Sequence, residues 1–131
     1  MKTFTPEWLE SGCPPVPEYE AYIGTIRLPD AIDGAFSLHD ARILRIAYAE
    51  KGFDRGDVRL FLDTRQSATK AKELFFPFAR LALTGTVEGT WLIAEEFSTV
   101  RDGFRMDVMT VDGKTDAYGF LTVEFRDMQL R

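Results

Sequence analysis

The sequence has one cysteine and one histidine among 131 residues. A lone cysteine, Cys13, cannot form an intramolecular disulfide, and with a single histidine it cannot complete the common structural zinc sites. Cys13 precedes Pro14 and Pro15 in a predicted loop with no histidine near it in sequence, so it is interpreted as an incidental small residue rather than a nucleophile. This composition is typical of a reducing cytoplasm, and neither a metal nor a cofactor is expected.

Long apolar runs and an excess of basic residues are also missing. No segment approaches the roughly 18 apolar residues that span a bilayer, and the amino terminus lacks the basic-then-apolar pattern of a signal peptide. Asp and Glu outnumber Lys and Arg by 21 to 16, giving a formal charge of -5, and the basic residues are scattered. A cytoplasmic protein with neither a membrane nor a nucleic-acid partner is therefore expected.

Aromatic residues, in contrast, are plentiful, with eleven Phe, four Tyr and two Trp, and such rings suit a pleated sheet. Apolar residues alternate with polar ones after residue 36, and turn residues divide this region into six predicted strands. These are residues 42–48, 57–63, 74–83, 91–100, 104–111 and 118–128. We predict a mainly β fold, an antiparallel six-strand sheet arranged as a sandwich or a partly open barrel.

The amino-terminal segment carries a helix signal. Thr5 can cap the helix, Pro6 fits its first turn, and Gly12 ends it within about two turns. This short helix is expected to cover an edge or an open end of the sheet. The chain is predicted to form one domain, with a helix-and-loop segment at 1–35 and an antiparallel β core at 36–131.

Local signals also predict how the strands connect. Pro77 cannot donate a ladder hydrogen bond, so its strand is expected to be an edge strand or to contain a bulge. The run Phe75-Phe76-Pro77-Phe78 is interpreted as core rather than as a docking patch. Asp102-Gly103 predicts a hairpin, whereas the connection at 50–56 is predicted to be longer than a two-residue turn.

The single histidine, His39, precedes Asp40 where the chain approaches its first strand. This pair can supply a general base or a metal ligand, or it can bond to nearby backbone groups. Neighbouring strand residues point to opposite faces, so both side chains can reach one metal only if the backbone bends. Backbone bonding is the favoured interpretation, and catalysis by His39 and Asp40 is the alternative.

The strand that begins at Trp91 contains an unexpected carboxylate. Strict alternation places Glu95 on the same face as Trp91, Ile93 and Phe97. Desolvation among large apolar side chains would raise the pKa of Glu95 and suit it to acid-base chemistry or to binding a polar ligand. The structural alternatives are a bulge, a partly covered face, or an ion pair with Arg105 across the hairpin.

Glu96 and Asp107 extend this candidate site. Asp107 lies in the following strand and can approach Glu95 or Glu96, and together with His39 the carboxylates could bind a divalent cation or form a hydrolytic pair. Because acidic residues on strands more often protect sheet faces and edges, no metal site is predicted. The candidate binding residues are Trp91, Glu95, Glu96 and Asp107, and the catalytic candidates are His39, Asp40 and Glu95.

Three segments resemble a family of small bacterial cytoplasmic proteins of unknown function. They are Phe4-Thr5-Pro6-Glu7-Trp8, Leu38-His39-Asp40-Ala41 and Trp91-Leu92-Ile93-Ala94-Glu95-Glu96-Phe97. The resemblance implies a bacterial cytoplasmic protein and transfers no activity. Some small proteins of similar pattern are suspected immunity proteins of toxin systems, and by that analogy the partner would be a toxin domain.

No common enzyme signature is present: the sequence has no P-loop, Rossmann glycine pattern, Gly-x-Ser-x-Gly elbow or EF-hand spacing. Together with the negative charge and the ring-rich strands, this favours a non-enzymatic module that binds another protein. One alternative is a small hydrolase or metal-dependent enzyme that uses His39 and nearby carboxylates. Another is a carrier of a small apolar ligand. The oligomeric state stays open, with a homodimer among the alternatives.

Overall fold

The computed structural model describes residues 2–29, 32, 37–67 and 69–131. Two short helices precede seven antiparallel strands. The elements are α1 (Pro6–Glu10), α2 (Pro17–Ile23), β1 (Arg42–Gly52), β2 (Arg55–Asp63), β3 (Glu73–Thr84), β4 (Trp91–Val100), β5 (Gly103–Val111), β6 (Tyr118–Phe125) and β7 (Gln129–Leu130). The mainly β class and the six predicted strands are confirmed, and the two-residue β7 is added. Asp33 and Gly34 of the predicted loop lie outside the described residues.

The strands form one sheet that closes on itself. Its order is β2-β1-β4-β5-β6-β3-β7, and β2 also pairs with β3, so six strands make a ring. The closure is uneven, because β1 and β4 pair only at Arg42 and Trp91. The structure therefore has a single ring-like sheet with a split between β1 and β4, rather than two packed sheets.

The apolar core fills the inside of this ring. Alternate residues of the strands are fully buried there, among them Val58, Leu60, Leu74, Phe76, Met106, Val108, Leu121 and Val123. The rings of Phe76 and Phe125 meet edge-on with centroids 5.0 Å apart. Leu38 and Ile32 belong to the same core cluster, so residues that precede β1 pack against the ring interior.

A β-bulge in β1 changes which side chains face inward. Ile43 and Arg45 pair with consecutive residues of β2, which makes Leu44 the extra residue. Strict alternation along 42–48 predicts that Leu44 and Ile46 share one face with Arg42 and Tyr48. Instead Ile43 is fully buried and Leu44 is half exposed, because one inserted residue exchanges the faces of the strand.

The hairpin between β1 and β2 has a two-residue turn. Gly52 pairs with Arg55, which leaves Phe53 and Asp54 as the turn, with Asp54 at φ +51°. The longer connection predicted from the sequence is wrong, because Gly52 and Gly56 extend the strands instead of breaking them. The Phe53 side chain projects from the turn and is almost fully exposed.

Pro77 lies in a bulge of β3, as its missing N–H predicted. Phe76 and Ala79 pair with β2 residues two positions apart, so Pro77 and Phe78 together oppose one residue. Phe78 takes a φ of +48°, and its N–H donates to the Asp57 carboxylate at 3.1 Å. The predicted core run is therefore divided, with Phe76 buried and Phe78 half exposed.

Gly119→Ala in β6 is expected to lower the free energy of unfolding by about 1–3 kcal/mol, the usual cost of overpacking. A Cβ at Gly119 would overlap the Thr86 carbonyl oxygen and would lie 2.7 Å from Thr110 Oγ1. Urea unfolding monitored by fluorescence measures the change. Gly24→Ala is the control, because its Cβ would meet neighbours at an ordinary 3.5 Å; equal losses in both variants would contradict the prediction.

Candidate functional site

His39 is fixed beside β4 through its imidazole ring. Nδ1 lies 2.7 Å from the Ile93 carbonyl oxygen, and because a carbonyl only accepts, Nδ1 carries the proton and donates it. Nε2 lies 3.5 Å from an Asp40 carboxylate oxygen, and both side chains are more than half exposed. The His39 side chain therefore bonds to backbone, as interpreted, but to β4 and not to a group near it in sequence. For the Asp40 side chain, the described residues show the contact with His39 and no backbone bond.

Glu95 lies on the inner face of the ring. It pairs with Val108 and is two residues from Phe97, and both of those residues belong to the core. The Leu38 N–H donates to Glu95 Oε1 at 3.1 Å. Burial raises the pKa of the Glu95 carboxyl, and the hydrogen bond from Leu38 and the nearby His39 only partly oppose that rise. Glu95 thus attaches the segment before β1 to the inner face of β4.

Trp91 does not share this face with Glu95. The register of β4 on β5 shifts at Ile93, which is an extra residue in β4. Trp91 consequently lies on the outer surface, 38% exposed, with the Arg42 guanidinium 5.9 Å from its ring centroid. The prediction that Trp91 and Glu95 lie on the same face of β4 is wrong, because the bulge at Ile93 reverses the alternation of faces between them.

Glu96 anchors the amino-terminal backbone on the outer face of β4. Its Oε1 accepts from the Thr3 N–H at 2.9 Å and the Phe4 N–H at 3.1 Å, and its Oε2 accepts from the Lys2 N–H at 3.2 Å. The residue is only 6% exposed. Three backbone donors offset the cost of burying this carboxylate.

Asp107 lies directly opposite Glu96 on β5, so the predicted approach of these two residues is confirmed. The Arg105 guanidinium donates to both Asp107 oxygens, at 3.0 and 3.1 Å, and the Thr122 hydroxyl donates at 2.6 Å. The hydrogen bonds to Asp107 raise the pKa of Arg105. The predicted ion pair of Arg105 with Glu95 is wrong, because Arg105 and Asp107 share the outer face whereas Glu95 lies on the inner one.

The second helix covers the edge of β4 that β1 leaves open. The Phe97 N–H donates to the Tyr19 hydroxyl at 2.8 Å, and the Thr99 N–H donates to the Tyr22 hydroxyl at 3.0 Å. The Phe4 ring packs edge-on against Tyr19, with centroids 4.9 Å apart. The expectation that amino-terminal helical structure covers a sheet edge is confirmed, although α2 rather than the predicted helix supplies the bonds.

A cleft of about 510 Å³ lies between this helical structure and strands β4 and β5. Glu18, Glu96 and Asp107 line it together with Lys2 and Arg105. Glu96 and Asp107 already accept several donors from this chain, so their carboxylates act here as structural anions. His39 and Asp40 are not part of the lining, and the cleft does not bring an imidazole to the carboxylates.

Neither a metal cluster nor a spanning helix is present in the described part of the chain. Among residues 2–29, 32, 37–67 and 69–131, no three His, Cys, Asp or Glu residues are arranged to hold a metal ion. Over the same residues, no helix has the length and apolarity needed to cross a membrane.

Sequence reasoning missed the donors that surround the buried carboxylates. Lys2, Thr3 and Phe4 act through backbone N–H groups, which every residue except proline carries, so no sequence signal marks them. Tyr19 and Tyr22 had a weak signal, since their three-residue spacing places both hydroxyls on one side of a helix.

Comparison of the chain with protein-family models, with curated proteins and with solved structures gave no match. The family resemblance noted from the sequence therefore stays a prediction.

Glu95→Gln is expected to flatten the dependence of stability on pH. Burial raises the pKa of Glu95 in the folded protein above its value in the unfolded chain. The protonated carboxyl is therefore favoured by folding, and its contribution to the free energy of unfolding is complete at a pH below the unfolded-state pKa. That contribution is lost as the pH rises through the folded-state pKa. Wild type should therefore lose stability relative to the Gln variant between mildly acidic and neutral pH. Glutamine still accepts from the Leu38 N–H.

Urea unfolding at several pH values measures this difference, and Glu50→Gln, at an exposed position of β1, is the matched control. A wild type that gains stability relative to Glu95→Gln as pH rises would show that Glu95 is stabilised as an anion instead.

Proposed function

We propose that this chain is a non-enzymatic protein-binding module whose helical layer, residues 3–26, binds a basic partner protein. The observation that carries the proposal is the charge of that layer. Residues 3–26 contain four glutamates and no Asp, Lys, Arg or His, so this segment has a formal charge of -4, while the whole chain has a formal net charge of -5. The glutamates are Glu7, Glu10, Glu18 and Glu20, and all four are exposed.

Several contacts hold this acidic layer in place against the strands. Glu96 binds the backbone that leads into it, and the hydroxyls of Tyr19 and Tyr22 bind β4. The Tyr118 hydroxyl of β6 donates to Glu10 at 3.4 Å. Charge of one sign on a preorganised surface accelerates encounter with a partner of opposite charge and orients it.

The enzymatic alternative has less support from the geometry. The His39 ring donates to a backbone carbonyl, and Glu96 and Asp107 are occupied by donors of the same chain. The carrier alternative requires an interior that receives a ligand, whereas a contiguous cluster of apolar side chains lies inside the ring. Protein binding through the helical layer is the function that these observations favour.

Charge reversal in α2 provides the test. The tagged chain captures partners from the lysate of its own host at low salt, and each captured protein is then produced separately and titrated by calorimetry. Glu18→Lys with Glu20→Lys is expected to weaken binding at least tenfold. The control, Glu50→Lys with Asp102→Lys, makes the same change of charge away from the helical layer and should change binding less than twofold.

Added salt should weaken the wild-type complex, because exposed charges separated by more than about 8–10 Å are screened at physiological ionic strength. A partner that binds both double variants equally and is indifferent to salt would overturn the role of the helical layer. Turnover of a substrate that is lost in His39→Ala would overturn the non-enzymatic proposal itself.

A further inference from the structure

Four arginines that are far apart in sequence line one small pocket of the fold. Arg55 begins β2, and Arg80 lies in β3. Arg101 lies in the turn between β4 and β5, and Arg126 directly follows β6. The sheet thus brings together basic residues that are scattered along the chain. This arginine pocket has a volume of about 130 Å³, and its other lining residues are Val100, Asp102, Glu124 and Phe125.

Backbone carbonyls orient two of the four guanidinium groups. Arg55 Nη1 donates to the Phe78 carbonyl oxygen at 3.2 Å, and the same guanidinium lies 5.5 Å from the Phe78 ring centroid. Arg126 Nε donates to the Asp102 carbonyl oxygen at 3.2 Å. A guanidinium has five N–H donors, so one such bond holds the group while most of its donors stay available. Because a carbonyl carries no net charge, neither bond cancels the charge of its arginine.

The charges around the arginine pocket do not balance. Arg80 is compensated, because its Nε lies 3.2 Å from an Asp54 carboxylate oxygen and its Nη1 lies 3.5 Å from one of Glu124. The other three arginines form no ion pair with any residue that the structure describes. Asp102 contributes the remaining carboxylate of the lining. Three arginines and this carboxylate leave a charge of +2 at the pocket, although the whole chain has a formal charge of -5.

The size and charge of the arginine pocket together indicate a small dianion. Drug-sized ligands occupy pockets of roughly 300–1,000 Å³, whereas a volume of about 130 Å³ is close to that of four water molecules at about 30 Å³ each. The planar guanidinium fork matches the oxygens of phosphate and of carboxylates, and a dianion neutralises a charge of +2. The pocket therefore suits a single phosphate-sized oxyanion better than a nucleotide.

The Asp102 carboxylate distinguishes phosphate from other dianions. An ionised carboxylate only accepts hydrogen bonds, so it repels an anion that has no proton to donate. Hydrogen phosphate keeps one O–H near neutral pH and can donate it to a carboxylate, whereas sulfate is fully deprotonated. An acidic residue among the arginines therefore favours hydrogen phosphate over sulfate.

We propose that the arginine pocket binds a free hydrogen phosphate ion. The guanidinium groups of Arg55, Arg101 and Arg126 donate to its oxygens, and the Asp102 carboxylate accepts a hydrogen bond from its O–H. No residue of the helical layer lines this pocket, so the proposal goes beyond the function proposed for that layer.

Titration with inorganic phosphate at constant ionic strength, followed by calorimetry and by NMR, tests the proposal. Wild type should show saturable one-to-one binding, with shifts at the amides of Arg101, Asp102 and Arg126. Arg101→Gln with Arg126→Gln removes two exposed cations and should weaken binding at least tenfold, with the rest of the amide spectrum unchanged. The control, Arg45→Gln with Lys51→Gln, removes the same charge from exposed positions of β1 and should change binding less than twofold.

Asp102→Asn tests the choice of anion. Wild type should bind sulfate at least fivefold more weakly than phosphate. Asparagine before glycine still suits the hairpin turn, and its side-chain amide can donate to either anion, so this variant should bind the two anions with affinities within twofold of each other. A wild type that binds sulfate as tightly as phosphate would overturn the assignment to phosphate. A preference that persists in Asp102→Asn would overturn the role of Asp102.

Three further results would overturn the site itself. Absence of saturable binding below about 10 mM phosphate would show that the four arginines are only a solvated surface. A short oligothymidylate that binds at Arg101 and Arg126 and displaces phosphate would show a surface for a polyanion instead. Equal phosphate affinities of the arginine variant and its control would place any observed binding elsewhere on the chain.

Discussion

Glu96→Ala is expected to lower the free energy of unfolding by about 3 kcal/mol, since a hydrogen bond to a charged group contributes about 1.5–3 kcal/mol and three are lost. The backbone donors of Lys2, Thr3 and Phe4 can turn to water when the carboxylate is removed, which keeps the loss below the full sum. Urea unfolding measures the stability, and hydrogen exchange at Thr3 and Phe4 reports release of the amino-terminal backbone.

Glu96→Gln is the matched variant. Its side-chain carbonyl can still accept from Thr3 and Phe4, while the charge and the acceptor for Lys2 are lost. We expect a loss of stability about half that of Glu96→Ala, with exchange at Thr3 and Phe4 still slow. If Glu96→Ala unfolds within about 0.5 kcal/mol of wild type, the range of ordinary surface changes, the anchoring role of Glu96 is wrong.

Arg105→Ala is expected to cost about 3 kcal/mol, because removing one partner of a buried ion pair leaves the other charge poorly compensated. The Asp107 side chain is 7% exposed, whereas that of Arg105 is 40% exposed. Asp107→Ala should therefore cost less, about 1–2 kcal/mol, since Arg105 keeps water and can turn toward Glu124, from which it lies 3.9 Å.

A double-mutant cycle measures the coupling between Arg105 and Asp107. Because the larger single loss comes from leaving Asp107 without its guanidinium, the double variant should be more stable than the sum of the two losses predicts. Additive losses, or a greater cost for Asp107→Ala than for Arg105→Ala, would contradict this explanation of the pair.

The strands were predictable because their signals are local. Alternation and turn residues such as Asp102-Gly103 depend only on neighbours in sequence, and these signals gave six strands close to their observed bounds. The bulges at Leu44 and Ile93 were not predictable by alternation, since an extra apolar residue looks like the next residue of the strand. Each bulge reverses the faces beyond it, and this explains the misplaced Leu44 and Trp91.

The candidate site was predictable only in part for a related reason. Glu96 and Asp107 lie in consecutive strands joined by a short hairpin, so their approach follows from local sequence. The donors to Glu96 are more than 90 residues away and act through backbone. The split between β1 and β4 depends on how the two strands diverge beyond Arg42 and Trp91, and this long-range arrangement leaves no pattern in either strand.

Native mass spectrometry of the tagged chain purified from its host at low salt tests the proposed function most directly, because one spectrum reports protein partners, metal ions and small ligands. Binding through the acidic helical layer predicts a stoichiometric complex with a basic protein, which is lost at high salt and in Glu18→Lys with Glu20→Lys. A retained metal ion or small molecule that disappears in His39→Ala, with no protein partner, would contradict the proposal and favour the enzymatic alternative.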